Sequence, residues 1–178
     1  LFFRSNGSKV FDNMIVNNFW AGIYIHEYSN KNTFHDNTVA YNSIGAWIAS
    51  SNAYSNTFHH NNFIDNINQA IDFGNGTIWD DDYPSGGNYW SDYNGTDLYS
   101  GPYQNEIGSD GIGDTPHVII ANTDRYPLMY PYGYVPSPDV NSDGIVDIFD
   151  LRTCARAFGS KLGDINWNPN VDMNNDGL

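Results

Sequence analysis

The chain has 178 residues, with 21 acidic side chains against 7 Lys+Arg, a formal net charge of -14. Seven scattered cations cannot build the basic face that phosphates require, which excludes nucleic-acid binding and attraction to anionic membrane surfaces. With 40% hydrophobic and 16% aromatic residues the chain has material for a core and is not disordered; its apolar runs are far too short to span a bilayer. The single Cys154 excludes a disulfide framework and any Cys-based zinc cluster. Leu1-Phe2-Phe3-Arg4 is not a signal peptide, and the chain starts without Met, so it is expected to be a piece of a longer protein.

The polar quota is filled by Asn, 25 in all, and the Asn are periodic. Asn13, Asn37 and Asn61 are spaced by 24 residues, as are Asn18, Asn42 and Asn66. The apolar columns Val10, Phe34, Phe58 and Ile15, Val39, Phe63 keep the same register, and so does the polar column Ser8, Asn32, Asn56. The register then slips by one, so that Gly22-Ile23-Tyr24-Ile25 aligns with Gly45-Ala46-Trp47-Ile48. Within each repeat the apolar residues alternate over short β-branched and aromatic stretches, the period of strands. Amphipathic helical runs and leucine columns are both missing. What remains is a parallel β-helix, each repeat one coil. Coils stack about 4.8 Å apart, so equivalent Asn side chains can bond one another and tie the turns.

The segments Asn32-Thr33-Phe34-His35-Asp36-Asn37-Thr38-Val39 and Asn56-Thr57-Phe58-His59-His60-Asn61-Asn62-Phe63 resemble the right-handed β-helix repeats of NosD-type proteins, which overlap the carbohydrate-binding and sugar-hydrolysis repeat class. The run from Trp79 to Tyr93, Gly108 to Pro116 and Asp124 to Met129 looks like the end of such β-helix proteins. The resemblance covers residues 1–130. It implies the fold strongly and an activity only weakly, with sugar binding, polysaccharide cleavage and copper-site maturation as the associated roles.

Residues 74–134 leave the 24-residue register and are rich in Gly, Tyr, Trp and Asp. A solenoid end must be covered, so this segment is read as a cap. Trp79, Tyr89, Trp90 and Tyr93 close the core, and His117-Val118-Ile119-Ile120 adds a strand. The alternative is a sugar-binding surface of stacked aromatic rings. Asp80-Asp81-Asp82 and Asp110/Asp114 suit either a hard cation or ordinary solvated turns. His35 and His59 share a column beside His60, which allows a borderline metal; a polar surface ladder is the plainer reading. Asp12 and Asp36 share a column in which His60 is third. No Gly-His-Gly and no cluster of acids with Arg or Lys marks a polysaccharide-cleaving site, so the chain leans away from being an enzyme.

The strongest local motif is Asp139-Val140-Asn141-Ser142-Asp143-Gly144-Ile145-Val146-Asp147-Ile148-Phe149-Asp150. Oxygen ligands fall at positions 1, 3, 5, 9 and 12 (Asp139, Asn141, Asp143, Asp147, Asp150), Gly144 allows the turn, and Ile145 offers its carbonyl: a Ca²⁺ loop. Pro136-Ser137-Pro138 leaves no room for an entering helix. An exit helix carries Leu151, Cys154, Ala155 and Phe158 as one apolar stripe, which makes Cys154 a small core residue. A second loop starts at Asp172-Met173-Asn174-Asn175-Asp176-Gly177, giving Asp172, Asn174 and Asp176 as further ligands. Paired loops of this kind, with Asp at position 12 and no entering helix, resemble the dockerin module over residues 138–178. That resemblance implies a cohesin-like partner, recognised in part through Ile148 and Phe149.

The sequence thus predicts an all-β, right-handed parallel β-helix of 24-residue coils with an aromatic C-terminal cap (1–130, cap 74–130). A linker (131–137) and a small α calcium-loop, dockerin-like module (138–178) follow. The leading expectation is a non-catalytic extracellular or cell-surface protein that binds carbohydrate and is attached to its partner through calcium. The alternatives are a fragment of a polysaccharide hydrolase or lyase, and a copper-site accessory protein.

Overall fold

The computed structural model describes residues 1–120, 122–133, 145 and 148–157. The chain divides into two compact units, Leu1–Gly133 and Tyr134–Leu178. The first is a parallel β-solenoid of about three turns. Coil 1 contributes β1 (Lys9–Phe11), β2 (Met14–Val16) and β3 (Ala21–Ile25). Coil 2 contributes β4 (Thr33–His35), β5 (Thr38–Ala40) and β6 (Ile44–Ile48), and coil 3 contributes β7 (Thr57–His59), β8 (Asn62–Ile64) and β9 (Asn68–Asp72). Equivalent strands pair in parallel as β1-β4-β7, β2-β5-β8 and β3-β6-β9. Val10, Phe34 and Phe58 are in register, and Tyr24 faces Trp47 across the one-residue slip.

The strands are short because a single αL residue turns each corner. Asp12, Asp36 and His60 hold φ of 55°, 56° and 56°, and Asn17, Tyr41 and Asp65 do the same at the next corner. Such geometry costs L-residues energy and must be held from outside. The Asn ladders hold it. The backbone N–H and side-chain amide of Asn13 both donate to Asn37 Oδ1 (3.1 and 3.0 Å), and Asn37 does the same to Asn61 (3.2 and 2.9 Å). The Asn18–Asn42–Asn66 and Asn32–Asn56 columns repeat the arrangement. From Asn32 on, the ladder amides are buried and bonded, as buried polar groups must be. Between the ladders lies an apolar core of Ile23, Ile25, Phe34, Val39, Ile48, Phe58 and Phe63.

The stretch after residue 73 leaves the 24-residue register, as expected, but it does not leave the stack. Coil stacking continues one level further, at a spacing of 21 up to Trp79 (Tyr54 with Asn75, Thr57 with Ile78) and of 27 from Asn88 on. β10 (Tyr89–Trp90) pairs in parallel with β8, and Asn88 Oδ1 accepts both N–H groups of Asn61 (3.1 and 2.9 Å). The irregular stretch 80–87 supplies the extra residues. Trp79 and Trp90 are buried and extend the core stacks: Phe34–Phe58–Trp79 at 4.6 and 4.3 Å, and Phe63–Trp90 at 4.4 Å. Two buried carboxylates fix these rings. Trp79 Nε1 donates to Asp72 and Trp90 Nε1 to Asp124, each at 2.9 Å. Asp124 also accepts Asn88 N–H at 2.7 Å and so ends the longest ladder.

Two short antiparallel pairs complete the unit, β11 (Tyr99–Ser100) with β12 (Glu106–Ile107) and β13 (His117–Ile119) with β14 (Asn122–Asp124). The expected strand at 117–120 is present as His117–Ile119 and forms half of a hairpin. In the second unit the described residues include α1 (Ile148–Ala157). Its Leu151 and Cys154 are exposed and Ala157 is buried, so the expected stripe, with Cys154 as a core residue, does not face inward. The buried side is the one that carries Asp150. A carboxylate goes inside only where its oxygens are met, and Asp150 does have an interaction partner. No helix among the described residues is long and apolar enough to cross a membrane.

Candidate metal centre

β7 ends at His59, and His60 occupies the αL corner that follows. The strand end and the corner aim two imidazoles at the outer surface where coil 3 meets the cap. Asp81, from the irregular stretch after Trp79, completes a group whose ligand atoms lie within 4.8 Å of one another. Two imidazoles and one carboxylate form a set suited to borderline divalent metals. His59 Nδ1 is buried and has no hydrogen-bond partner. Burial holds the His59 pKa below its ordinary value; Asp81 opposes this and His60 and His35 reinforce it. A neutral imidazole with a free lone pair is what a metal takes.

The surroundings are ordered. His35 stacks flat on His59 at 5.3 Å, with Phe11 on its other face at 5.2 Å. Asp36 Oδ2 accepts His35 Nδ1 at 2.8 Å, while Asp36 Oδ1 is buried without a partner, 3.8 Å from His60 Nδ1. His60 Nε2 donates to the Ser85 carbonyl at 2.8 Å, and Ser85 Oγ donates to Asp81 Oδ2 at 2.8 Å. Tyr132 stacks on His60 at 4.1 Å and is tied to Asn62 by two hydrogen bonds.

The sequence paired His35 with His59 as a candidate. The structure instead groups His59 with His60 and Asp81, and places His35 as a stacking neighbour. Asp81 belongs to an acidic run that the sequence singled out, but the break in register hid which coil it meets. The run itself divides. Asp80, buried, and Asp82 both pair with Arg125, which leaves Asp81 facing the histidines. Asp114 and Asp110 are turn ligands: Asp114 accepts Leu98 and Tyr99 N–H, and Asp110 accepts Ile112 N–H.

Of the calcium-loop residues, Asp139, Asn141, Asp143, Asp147, Asp172, Asn174 and Asp176 lie outside the described residues. Ile145 is exposed, and Asp150 is buried in the first turn of α1. Residues 134–137 of the expected linker also lie outside the described residues, while 131–133 fall in the first unit.

A different face carries aromatic residues. Trp20 lies at the register slip, where Phe19 and Trp20 together oppose Ser43. It packs on Tyr24 at 4.5 Å and on Trp47 at 5.2 Å, on the outside of the β3-β6-β9 sheet. Beside it opens a groove of about 680 Å³ lined by Asn17, Asn18, Phe19, Tyr41, Asp65 and Ile67 among others; Phe19 is fully exposed there.

No curated protein and no solved structure matches the chain. Residues 2–95, which span all three coils, the cluster His59–His60–Asp81 and β10, match the model of the family described as periplasmic copper-binding protein (NosD). That stretch is more than half of the chain, and with its stacked parallel coils this protein belongs to the NosD family.

Proposed function

We propose that this chain is part of an exported β-helix protein, periplasmic or extracellular, that binds a divalent transition-metal ion through His59, His60 and Asp81. Copper is the ion the family description names. One observation carries the reading: His59, whose Nδ1 is buried and unpartnered, belongs to a three-residue cluster with ligand spacing. An orphaned buried nitrogen is costly unless something fills it. Imidazole and carboxylate ligands favour Cu(II), which binds such sites more tightly than Zn(II), whereas Cu(I) prefers sulfur. The protein's role is to hold the ion on a rigid surface; the ion supplies any redox chemistry. Calorimetric titration with Cu(II) tests the proposal. Expected is one strong site that is lost in His59→Ala and in Asp81→Ala. Stoichiometric binding by His59→Ala equal to that of wild type overturns it.

A second reading rests on the aromatic face. Trp20, Tyr24 and Trp47 beside a groove edged by Asn17, Asn18 and Asp65 suit a neutral polysaccharide, because rings stack on sugar faces and amides bind hydroxyls. Retardation in a gel containing hydroxyethyl cellulose, removed by Trp20→Ala, is the expected result. Equal mobility of wild type with and without the polymer refutes it. Attachment to a cohesin-like partner through a Ca²⁺-loaded, dockerin-like module is proposed for residues 138–178. The loop spacing supports it, as does the exposure of Ile148 and Phe149 beside buried Asp150.

A further inference from the structure

We propose that metal binding exchanges the tautomer of His60, and that Asp36 is the positioning residue that accepts the hydrogen bond of the relocated proton. The inference rests on the reading of His59, His60 and Asp81 as a metal site. His60 Nε2 lies 2.8 Å from the Ser85 carbonyl oxygen. A carbonyl only accepts, so without metal the proton sits on Nε2. Nδ1 then carries a lone pair and faces Asp36 Oδ1 at 3.8 Å, acceptor against acceptor. That mismatch explains why Asp36 Oδ1 is buried without a partner, although Oδ2 of the same carboxylate is fully engaged by His35.

The edge of His60 that a metal takes is fixed by Ser85. Its Oγ lies 3.2 Å from His60 Nε2 and 2.8 Å from Asp81 Oδ2, so Nε2 is the nitrogen on the Asp81 side. An ion shared by His60 and Asp81 therefore binds Nε2. The proton on Nε2 leaves to solvent, and one from solvent arrives at Nδ1, so the ring stays neutral and no net proton is released. Ser85 is an exposed residue, so its carbonyl has water to turn to. The new Nδ1–H points at Asp36 Oδ1 and gives it the donor it lacks. The result is the carboxylate–histidine–metal relay that orients a ligand and raises its basicity. Asp36 thus bridges two coils: His35 of its own coil on one oxygen, and His60 of the next on the other.

Nitrogen-15 NMR of the histidine side chains, with Zn(II) as a diamagnetic probe, reads this directly. His60 is expected as the Nε2–H tautomer without metal and as the Nδ1–H tautomer with Zn(II). Asp36→Gly, which accepts the corner φ of 56° without strain, should lower Zn(II) affinity about 10- to 100-fold. Asp36→Asn, which keeps one acceptor oxygen for two imidazoles, should fall between Asp36→Gly and wild type. Retention of Nε2–H on His60 in the Zn(II)-loaded protein, or wild-type affinity in Asp36→Gly, overturns the proposal. If His59→Ala abolishes Zn(II) binding while Asp36→Gly leaves it unchanged, the metal site stands and only the relay fails. If neither variant changes binding, both fail.

Discussion

Asn61 is the residue on which the ladder energetics can be measured. Its side chain is fully buried. Its Oδ1 accepts Asn37 N–H at 3.2 Å and the Asn37 amide at 2.9 Å. Its own amide donates to Phe34 O, His59 O and Asn88 Oδ1 at 2.9, 3.1 and 2.9 Å. In Asn61→Ala the Asn37 amide keeps Val10 O and His35 O, but the Asn37 backbone N–H loses its acceptor. A stranded buried donor costs about 1–3 kcal/mol, and the three lost donations add roughly 0.5–1.5 each, so the total is about 2.5–7.5 kcal/mol. That is a large share of the stability of an ordinary domain, about 5–15 kcal/mol. Asn13 is the internal control. It is exposed and only donates, and Asn37 Oδ1 keeps the Asn13 backbone N–H when the side chain is gone, so Asn13→Ala should cost about 1 kcal/mol or less. Urea unfolding followed by the fluorescence of buried Trp79 and Trp90 compares them. A difference under about 1 kcal/mol between the two variants would refute the ladder as the element that holds the corners.

Three further outcomes are expected. Burial raises the Asp124 carboxyl to about 7, outweighing the N–H groups of Asn88, Trp90 and Tyr126 that favour the anion. The folded state then binds a proton that the unfolded state has released, so stability should fall as pH rises from about 4 to about 7 and level off above. Asp124→Asn should flatten that slope, and a carbon-13 titration of the Asp124 carboxyl near 4 would contradict it. Gly87→Ala should be severely destabilised in the same unfolding assay, because a Cβ at Gly87 would overlap the Asp124 carboxylate that ends the ladder; near-wild-type stability would show that the junction can yield. Calcium titration of the whole chain should give a heat that Asp139→Ala removes, and no heat with wild type would end the loop assignment.

The periodic part of the fold was legible in the sequence because stacked coils make the same demand on the same residue every turn. The Asn columns, the apolar columns and the one-residue slip before Gly22 are all visible in the sequence, and the strand registers agree with them. The fourth level was not, because its spacing is 21 before stretch 80–87 and 27 after it. A signal was present: Asn88-Tyr89-Trp90 repeats the ladder-then-strand order of Asn61-Asn62-Phe63. The metal cluster was half legible. His59 and His60 were marked, but which of three consecutive acids meets them depends on where Arg125 falls, 43 residues beyond Asp82. The role of Asp36 needed geometry outright, since it turns on one oxygen being bonded and the other not. Cys154 was misread because helical periodicity shows that a face is apolar and says nothing about whether another surface covers it.

The corner shared by Asp12, Asp36 and His60 separates scaffold from chemistry. The ladder imposes the same backbone on that position in every coil, so a change of side chain there leaves the neighbouring coils undisturbed. Successive coils then behave like identical sockets along a rail at a fixed pitch, each accepting any plug that tolerates a left-handed backbone. Such a rail lets ligand sets be assembled, moved by one level or duplicated through single substitutions, with the distances between plugs guaranteed in advance by the stacking.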